Sequence, residues 1–239
     1  MMGMGSTERP ERDSNDWPMR MTDHPERCPV CDAADIAPFM TVRHCAYWRC
    51  NTCDARFLAP EHYLSRDAEQ SHYLTHENRI DDPRYRLFLS RLANPLLNRL
   101  PPASKGLDYG CGPGPALAEM LREAGHAVAL YDPFFAPDPV PLSATYDFVT
   151  CTETAEHFHK PHAEFARLRA LVRPGGWLAV MTCFQTDDSR FAAWHYRTDP
   201  THVVFYREAT FHHIAQSWGW ACQVPVKDVV LMQHPVDVA

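Results

Sequence analysis

Residues 105–121 read KGLDYGCGPGPALAEML, and four of the ten glycines in this 239-residue chain, Gly106, Gly110, Gly112 and Gly114, fall inside it. Glycine at that density marks a backbone that turns sharply or lies close against another group. Upstream, Gly106–Tyr109 reads as a short strand; downstream, Ala116–Glu123 reads as a helix, with Pro115 suited to its first turn. A strand, a glycine turn and a helix make the ligand-binding start of an α/β sheet, where ligands sit beyond the strand ends. What the turn holds depends on its donors. A dinucleotide fingerprint, Gly-x-Gly-x-x-Gly, closes backbone N–H groups on a pyrophosphate. Counted from Gly110, the third glycine is replaced by Pro115, and Pro113 also lacks an N–H. The turn is therefore predicted to hold something other than a diphosphate.

What remains is Asp108-x-Gly110-x-Gly112-x-Gly114. It resembles the cofactor motif of class I S-adenosylmethionine-dependent methyltransferases. The resemblance implies an α/β, Rossmann-like sheet. It also implies that Gly110, Gly112 and Gly114 admit the methionine part of the cofactor, while Asp108 complements its ammonium group. Cys111, inside the loop, is a small filler. The next predicted strand, Ala127–Asp132, ends in an acid that by the family pattern accepts both ribose hydroxyls. A carboxylate there equally suits a nicotinamide enzyme, so the prolines discriminate and Asp132 does not. Two further landmarks follow in order. Tyr146–Phe158 resembles the family's fourth strand and acidic turn, with Thr152 and Glu153 beside the cofactor, and Arg173–Thr182 resembles its Pro-Gly-Gly turn and fifth strand.

The family pattern breaks between these landmarks. Residues 133–146, PFFAPDPVPLSATY, stand where a helix, a strand and another helix are usual, and four of them are proline. Proline supplies no N–H to a helix or a central strand. The sheet is thus expected to be truncated after its second strand and to lack the usual acidic contact to adenine. Pro133 and Phe134 then fall beside the cofactor. Phe134 and Phe135 suit either an apolar wall against the purine or packing over the exposed sheet edge. Residues 61–100 read as a helical cover, with Tyr85, Phe88, Leu89, Leu92, Leu96, Leu97 and Leu100 at helical spacing before Pro101-Pro102. Within that cover Tyr73 and His76, three apart, are candidates to line the cofactor or acceptor site.

Methyl transfer needs in-line approach in a site that excludes water, and a base only where the acceptor loses a proton. Titratable groups concentrate in two places: Glu153, Glu156, His157 and His159 after the fourth strand, and the insertion Trp194–Tyr206, WHYRTDPTHVVFY. From these, His157, His195, Tyr196 and His202 are the catalytic candidates. The same residues also suit a loop that ties the acceptor side together, with Asp199 capping a turn before Pro200. Imidazole and carboxylate are metal ligands too, so a second metal between Glu153 or His157 and His202 is chemically available, although no spacing demands it. Arg207–Trp218 reads as a helix, and Ala221–Val226 and Val229–Met232 as a closing hairpin.

Ahead of all this, Cys28-Pro-Val-Cys31 and Cys50-Asn-Thr-Cys53 form two Cys-x-x-Cys knuckles eighteen residues apart. Four thiolates on two tight turns are a tetrahedral Zn²⁺ site, closed and hence structural. Ile36–Arg49 has the β-branched and aromatic character of the hairpin between them. Asp32 and Asp54 stand where glycine usually follows such knuckles, and Asp tolerates a left-handed conformation. Four units are expected: a disordered leader at 1–23, a zinc ribbon at 24–60, the helical cover at 61–104 and the methyltransferase core at 105–239. The leader lacks the apolar run of a signal peptide and no segment is long enough to span a membrane, which points to a cytoplasmic protein. A net charge of −7 argues against nucleic acid as partner. The reading is a methyltransferase with S-adenosylmethionine as cofactor, structural Zn²⁺ and a small-molecule acceptor. Its rivals are an RNA-modifying methyltransferase that docks through the ribbon and a non-catalytic docking module.

Overall fold

The computed structural model describes residues 24–75 and 79–236. The segment 1–23, read above as a leader, and His76 lie outside the described residues. The first elements are a hairpin, β1 (Ile36–Val42) and β2 (Cys45–Cys50), followed by β3 (Arg56–Leu58) antiparallel to β2. Helix α1 (Arg66–Tyr73) starts where the Ser65 hydroxyl accepts from the Ala68 N–H. Helix α2 (Pro83–Leu97) starts with Asp82 as cap and Pro83 in its first turn, and buries Leu89, Leu92, Ala93 and Leu96 against the sheet. The helical stretch is therefore two helices with a break between them.

The core alternates strand and helix: β4 (Lys105–Tyr109), α3 (Ala116–Glu123), β5 (Ala127–Tyr131), β6 (Tyr146–Thr152), α4 (Pro161–Leu171) and β7 (Val172–Met181). A two-residue strand, β8 (Val204–Phe205), precedes α5 (Glu208–Trp218) and the hairpin β9 (Ala221–Val226) and β10 (Val229–Gln233). The main sheet has the order β5-β4-β6-β7-β10-β9, parallel through β7 and antiparallel thereafter. This is the Rossmann-like α/β sheet that the resemblance implies.

Its truncation follows the prolines. Among the described residues nothing pairs beyond β5; residues 132–145 form one isolated bridge between Asp132 and Ala136 and a 3₁₀ turn at Val140–Ser143. The Pro174-Gly175-Gly176 segment differs from its expected form. It lies within β7 as an irregularity in the pairing with β6, with Gly176 donated to by His234, so the chain bulges there rather than reversing.

The first three strands share a sheet with the far end of the chain, because β8 pairs with β3. Phe191 and Phe205 pack edge-on against Tyr47 or each other, and Arg56, only 3% exposed, is paired with Asp54 and Asp188. Arg207 joins the same two carboxylates. The insertion after β7 is thereby built against the N-terminal hairpin. No helix among the described residues is long and apolar enough to cross a membrane.

Candidate functional site

A cavity of about 800 Å³ opens at the C-terminal ends of β4, β5 and β6. One end is the glycine turn. Gly110 adopts φ +76°, and a Cβ there would stand 2.2 Å from the Thr154 methyl. Gly112, φ +63°, has open space where a Cβ would be, facing the cavity it lines. Three donors of the turn point elsewhere: Gly110 and Cys111 give their N–H groups to the Tyr131 carbonyl, and Gly112 gives its N–H to Asp132 Oδ2 at 3.0 Å. With Pro113 and Pro115 lacking N–H groups, this turn offers little to an anion.

Asp132 clasps two loops. Its Oδ2 takes the Gly112 N–H, and its Oδ1 takes the N–H groups of Phe134 at 2.8 Å and Phe135 at 3.0 Å. A carboxylate has about four acceptor positions, so one remains after these three bonds. Asp108, 3% exposed, accepts from the Thr150 hydroxyl at 2.7 Å. Burial pushes its carboxyl up to about 6, against the Thr150 bond that lowers it. A buried acid of this kind is suited to a cation arriving through the cavity.

Pro133 and Phe134 also line the cavity, and so do Thr152 and Glu153. The Phe134 ring lies beneath the Arg66 guanidinium at 4.9 Å and meets Tyr73 edge-on at 5.4 Å. It serves both as cavity wall and as packing for α1. Tyr73 reaches on to the His157 ring at 5.3 Å. Helix α1 is fixed over the opening by Glu69, which meets His159 Nε2 at 2.6 Å, and by His72, which meets Asp199 at 3.3 Å.

The other end of the cavity carries the titratable groups. Glu153 takes a left-handed φ of 46° at the end of β6, which turns its side chain inward. Burial, reinforced by the neighbouring Glu156, pushes its carboxyl up to about 9. Glu156 is fully buried; its Oε1 accepts from the Tyr196 hydroxyl at 2.5 Å, and its Oε2 has no hydrogen-bond partner. Burial likewise raises Glu156 and drives the Tyr196 phenol far above its usual range, while it lowers His202. The rings of His157 and His202 stand 4.7 Å apart.

Among the catalytic candidates, His157 and His202 line the cavity, and Tyr196 is buried behind them through Glu156. His195 is set apart: it is exposed on a 3₁₀ turn at His195–Thr198 and is not among the lining residues. Gly114 and Cys111 line the glycine end. Sequence reasoning missed Tyr85, which comes from α2 to the cavity wall, and Glu69, which holds α1. Tyr85 sits in the apolar stripe of its helix, so periodicity alone marks it as core. Glu156 stood among the titratable groups of the turn after β6, but nothing in the spacing separated it from Glu153.

In the N-terminal segment Cys28, Cys31, Cys50 and Cys53 bring their sulfurs within 4.8 Å of one another. Asp32 and Asp54 have φ values of 60° and 62° at the knuckle turns, and their N–H groups return to the Cys28 and Cys50 carbonyls. The Cys53 N–H lies 3.4 Å from the Cys50 sulfur. Four converging sulfurs on two tight turns suit a tetrahedral soft-metal site.

The sequence matches a family described as a methyltransferase domain over residues 78–223, more than half of the chain. No curated protein matches it. Among solved structures it is similar to the 1,6-didemethyltoxoflavin-N1-methyltransferase of Burkholderia thailandensis, determined with 1,6-didemethyltoxoflavin and S-adenosylhomocysteine. That likeness has 17% identity and a TM-score of 0.48, covering 84% of this chain and 99% of the other. The magnesium protoporphyrin IX methyltransferase of Synechocystis, with S-adenosylhomocysteine bound, is 15% identical with a TM-score of 0.48, covering 73% and 97%. A complex of the Haloferax volcanii Trm112 methyltransferase activator with a putative methyltransferase is 10% identical with a TM-score of 0.46, covering 72% and 100%.

Proposed function

Because this chain belongs to the methyltransferase domain family, we propose that it transfers a methyl group from S-adenosylmethionine to a small-molecule acceptor. The observation that carries this reading is one continuous cavity with two chemically different ends. Its size, about 800 Å³, is in the range of small-ligand sites. The glycine end fits the cofactor: Gly112 leaves open space for close approach, and the N–H groups of Gly110, Cys111 and Gly112 are directed away from it. When bound there, S-adenosylmethionine supplies a methyl group activated by its sulfonium.

The residues of the chain then divide the work. Asp108 meets the ammonium group, directly or through water. The remaining acceptor position of Asp132 serves the ribose, while its other bonds hold the Gly112 and Phe134 loops together. Phe134, with Tyr73 over it, walls the purine side. Tyr73 and the rest of α1 exclude water from the path between the two ends, which strengthens every electrostatic contact inside. The Glu156–His157–His202 end receives the acceptor and handles its proton. The four cysteines hold a structural Zn²⁺ that supports the insertion on which Tyr196 and His202 sit.

Calorimetry with S-adenosylhomocysteine tests the reading. Binding by the wild-type protein and its loss in Gly112→Val are expected, since a branched Cβ would enter the cofactor space. No heat with the folded wild type would leave the docking-module reading in its place.

A further inference from the structure

A second cavity, of about 750 Å³, opens at the end of the parallel strands away from the glycine turn. Its walls come from α4, α5, the first residues of β7 and the Val30–Cys31 edge of the N-terminal knuckle. Helix α4 divides it from the first cavity: Glu164 and Arg167 line one, Phe165 and Arg169 the other. The knuckle is fixed to that helix. The His162 N–H donates to the Pro29 carbonyl at 2.8 Å, and His162 Nδ1 lies 3.2 Å from the Val30 carbonyl.

The lining is one-sided in charge. The chain carries a net charge of −7, yet no carboxylate lines this cavity, whereas Arg169, Arg173, His162, His213 and His234 all do. Asp147, outside the lining, pairs with Arg173. Arg169 has no such partner among the described residues; its guanidinium stands over the Trp218 ring at 5.9 Å. That contact uses the face of the guanidinium and leaves its five in-plane N–H donors unspent. His213, half-buried on α5, likewise has no hydrogen-bond partner among the described residues. The His234 ring is preset: it stacks on Trp220 at 4.7 Å, and its Nδ1 donates to the Val172 carbonyl at 3.0 Å. Arg169, Arg173 and His162 are exposed, while Phe165, Val172 and Ile214 are buried, so cations form the rim and apolar groups the floor. A single surface arginine without a partner is ordinary. Five basic groups from four segments around one concavity, with no acid among them, make a field that an anion relieves.

We propose that this cavity is a second ligand site, for a small molecule that joins a phosphate monoester to a flat apolar body. The floor takes the apolar body, and the Arg169 fork takes the phosphate together with the other rim cations. A phosphate has three strong acceptor oxygens and more charge than a carboxylate, which suits donors arriving from several elements. The volume and concave shape suit a small ligand rather than a polymer. S-adenosylmethionine is a poor match for this rim, because its sulfonium and ammonium groups are cations. The site therefore stands whether or not the chain transfers methyl groups.

The probe is 2-naphthyl phosphate, titrated calorimetrically into the full-length protein purified with Zn²⁺, with 2-naphthol and inorganic phosphate as its two halves. One site per chain is expected, with the whole probe binding at least about tenfold more tightly than either half. Arg169→Gln and His213→Gln break no hydrogen bond among the described residues, and each is expected to keep the wild-type melting temperature and weaken binding at least about fivefold. Gly112→Val is expected to bind the probe as the wild type does, which separates this site from the glycine-turn cavity. No binding by the wild type at about 1 mM probe overturns the proposal. Unaltered affinity in both folded variants, or loss of the probe in Gly112→Val, overturns it too. A single-stranded RNA oligomer that binds through Arg169 where the probe does not would make this face a nucleic-acid contact and overturn the small-ligand class. Probe binding without any heat from S-adenosylhomocysteine supports this site while overturning the methyl-transfer reading.

Discussion

Asp132 sits where the glycine turn meets the proline-rich loop, and its three accepted N–H bonds give it a structural role beside the proposed ribose contact. The two roles can be separated. Asp132→Asn keeps an oxygen for the Phe134 and Phe135 amides and is expected to stay folded while binding S-adenosylhomocysteine more weakly. Asp132→Ala removes both, and is expected to lower the melting temperature as well. Equal melting temperatures for the two variants would refute the clasp. Asp108 gives a pH signature. Burial lifts its carboxyl from 3.8 to about 6, so the folded state prefers the protonated form. Its contribution to stability is therefore complete below pH 3.8 and is lost as pH rises through 6, by on the order of 3 kcal/mol. Asp108→Asn should melt higher than wild type at pH 8 and bind the cofactor product less well. In the wild type, binding near pH 6 should release a proton, because an ammonium beside Asp108 favours its ionised form; calorimetry in buffers of different ionisation enthalpy reads this directly. At this scale the glycine turn was legible in advance, since the missing N–H of a proline is a property of the residue itself. Tyr85 was not, because only the placement of α2 over the sheet turns one residue of an apolar stripe toward a cavity.

Helix α1 has eight residues, too few to be stable alone. Its place over the opening is set by side chains: Glu69 to His159, His72 to Asp199, and Arg66 on Phe134. Glu69→Ala is expected to weaken S-adenosylhomocysteine binding by about fivefold, or ~1 kcal/mol, and to speed hydrogen exchange over residues 66–73 while the core strands keep their protection. Exchange unchanged over that segment would count against the tie. The truncated edge after β5 was readable, since four prolines in fourteen residues exclude both helix and central strand. The break between α1 and α2 was less so. Apolar residues recur at helical spacing in α2, whereas α1 is polar and is held by side-chain contacts that no periodicity records.

Across the whole molecule, β8 links the N-terminal hairpin to the insertion that carries Tyr196, Asp199 and His202. The buried Arg56 reinforces that link through Asp54 and Asp188. The Zn²⁺ proposed for the four cysteines would contribute binding energy on the order of 10 kcal/mol to the segment it closes, comparable to the stability of an entire domain. Cys50→Ser is therefore expected to speed hydrogen exchange over β1–β3 and also over residues 188–205, leaving β4 and β6 protected. Rapid exchange confined to β1–β3 would show that the insertion stands without the ribbon. Chelation of the wild type should reproduce the pattern.

The sequence by itself determined the α/β class, the glycine turn and its preference against a diphosphate, the lost third strand and the four converging cysteines. Each depends on local chemistry: which residues lack an N–H, which accept a left-handed conformation, and which spacing places two sulfurs on one turn. Only the tertiary structure decided that the N-terminal hairpin and the insertion share a sheet, that His195 stands apart while His202 lines the cavity, and that Glu156 lies beside two imidazoles. Those relations join residues more than 150 positions apart, Asp54 and Arg207 among them. They arise from burying apolar faces together, an outcome that depends on the whole packing arrangement and on no single stretch of chain.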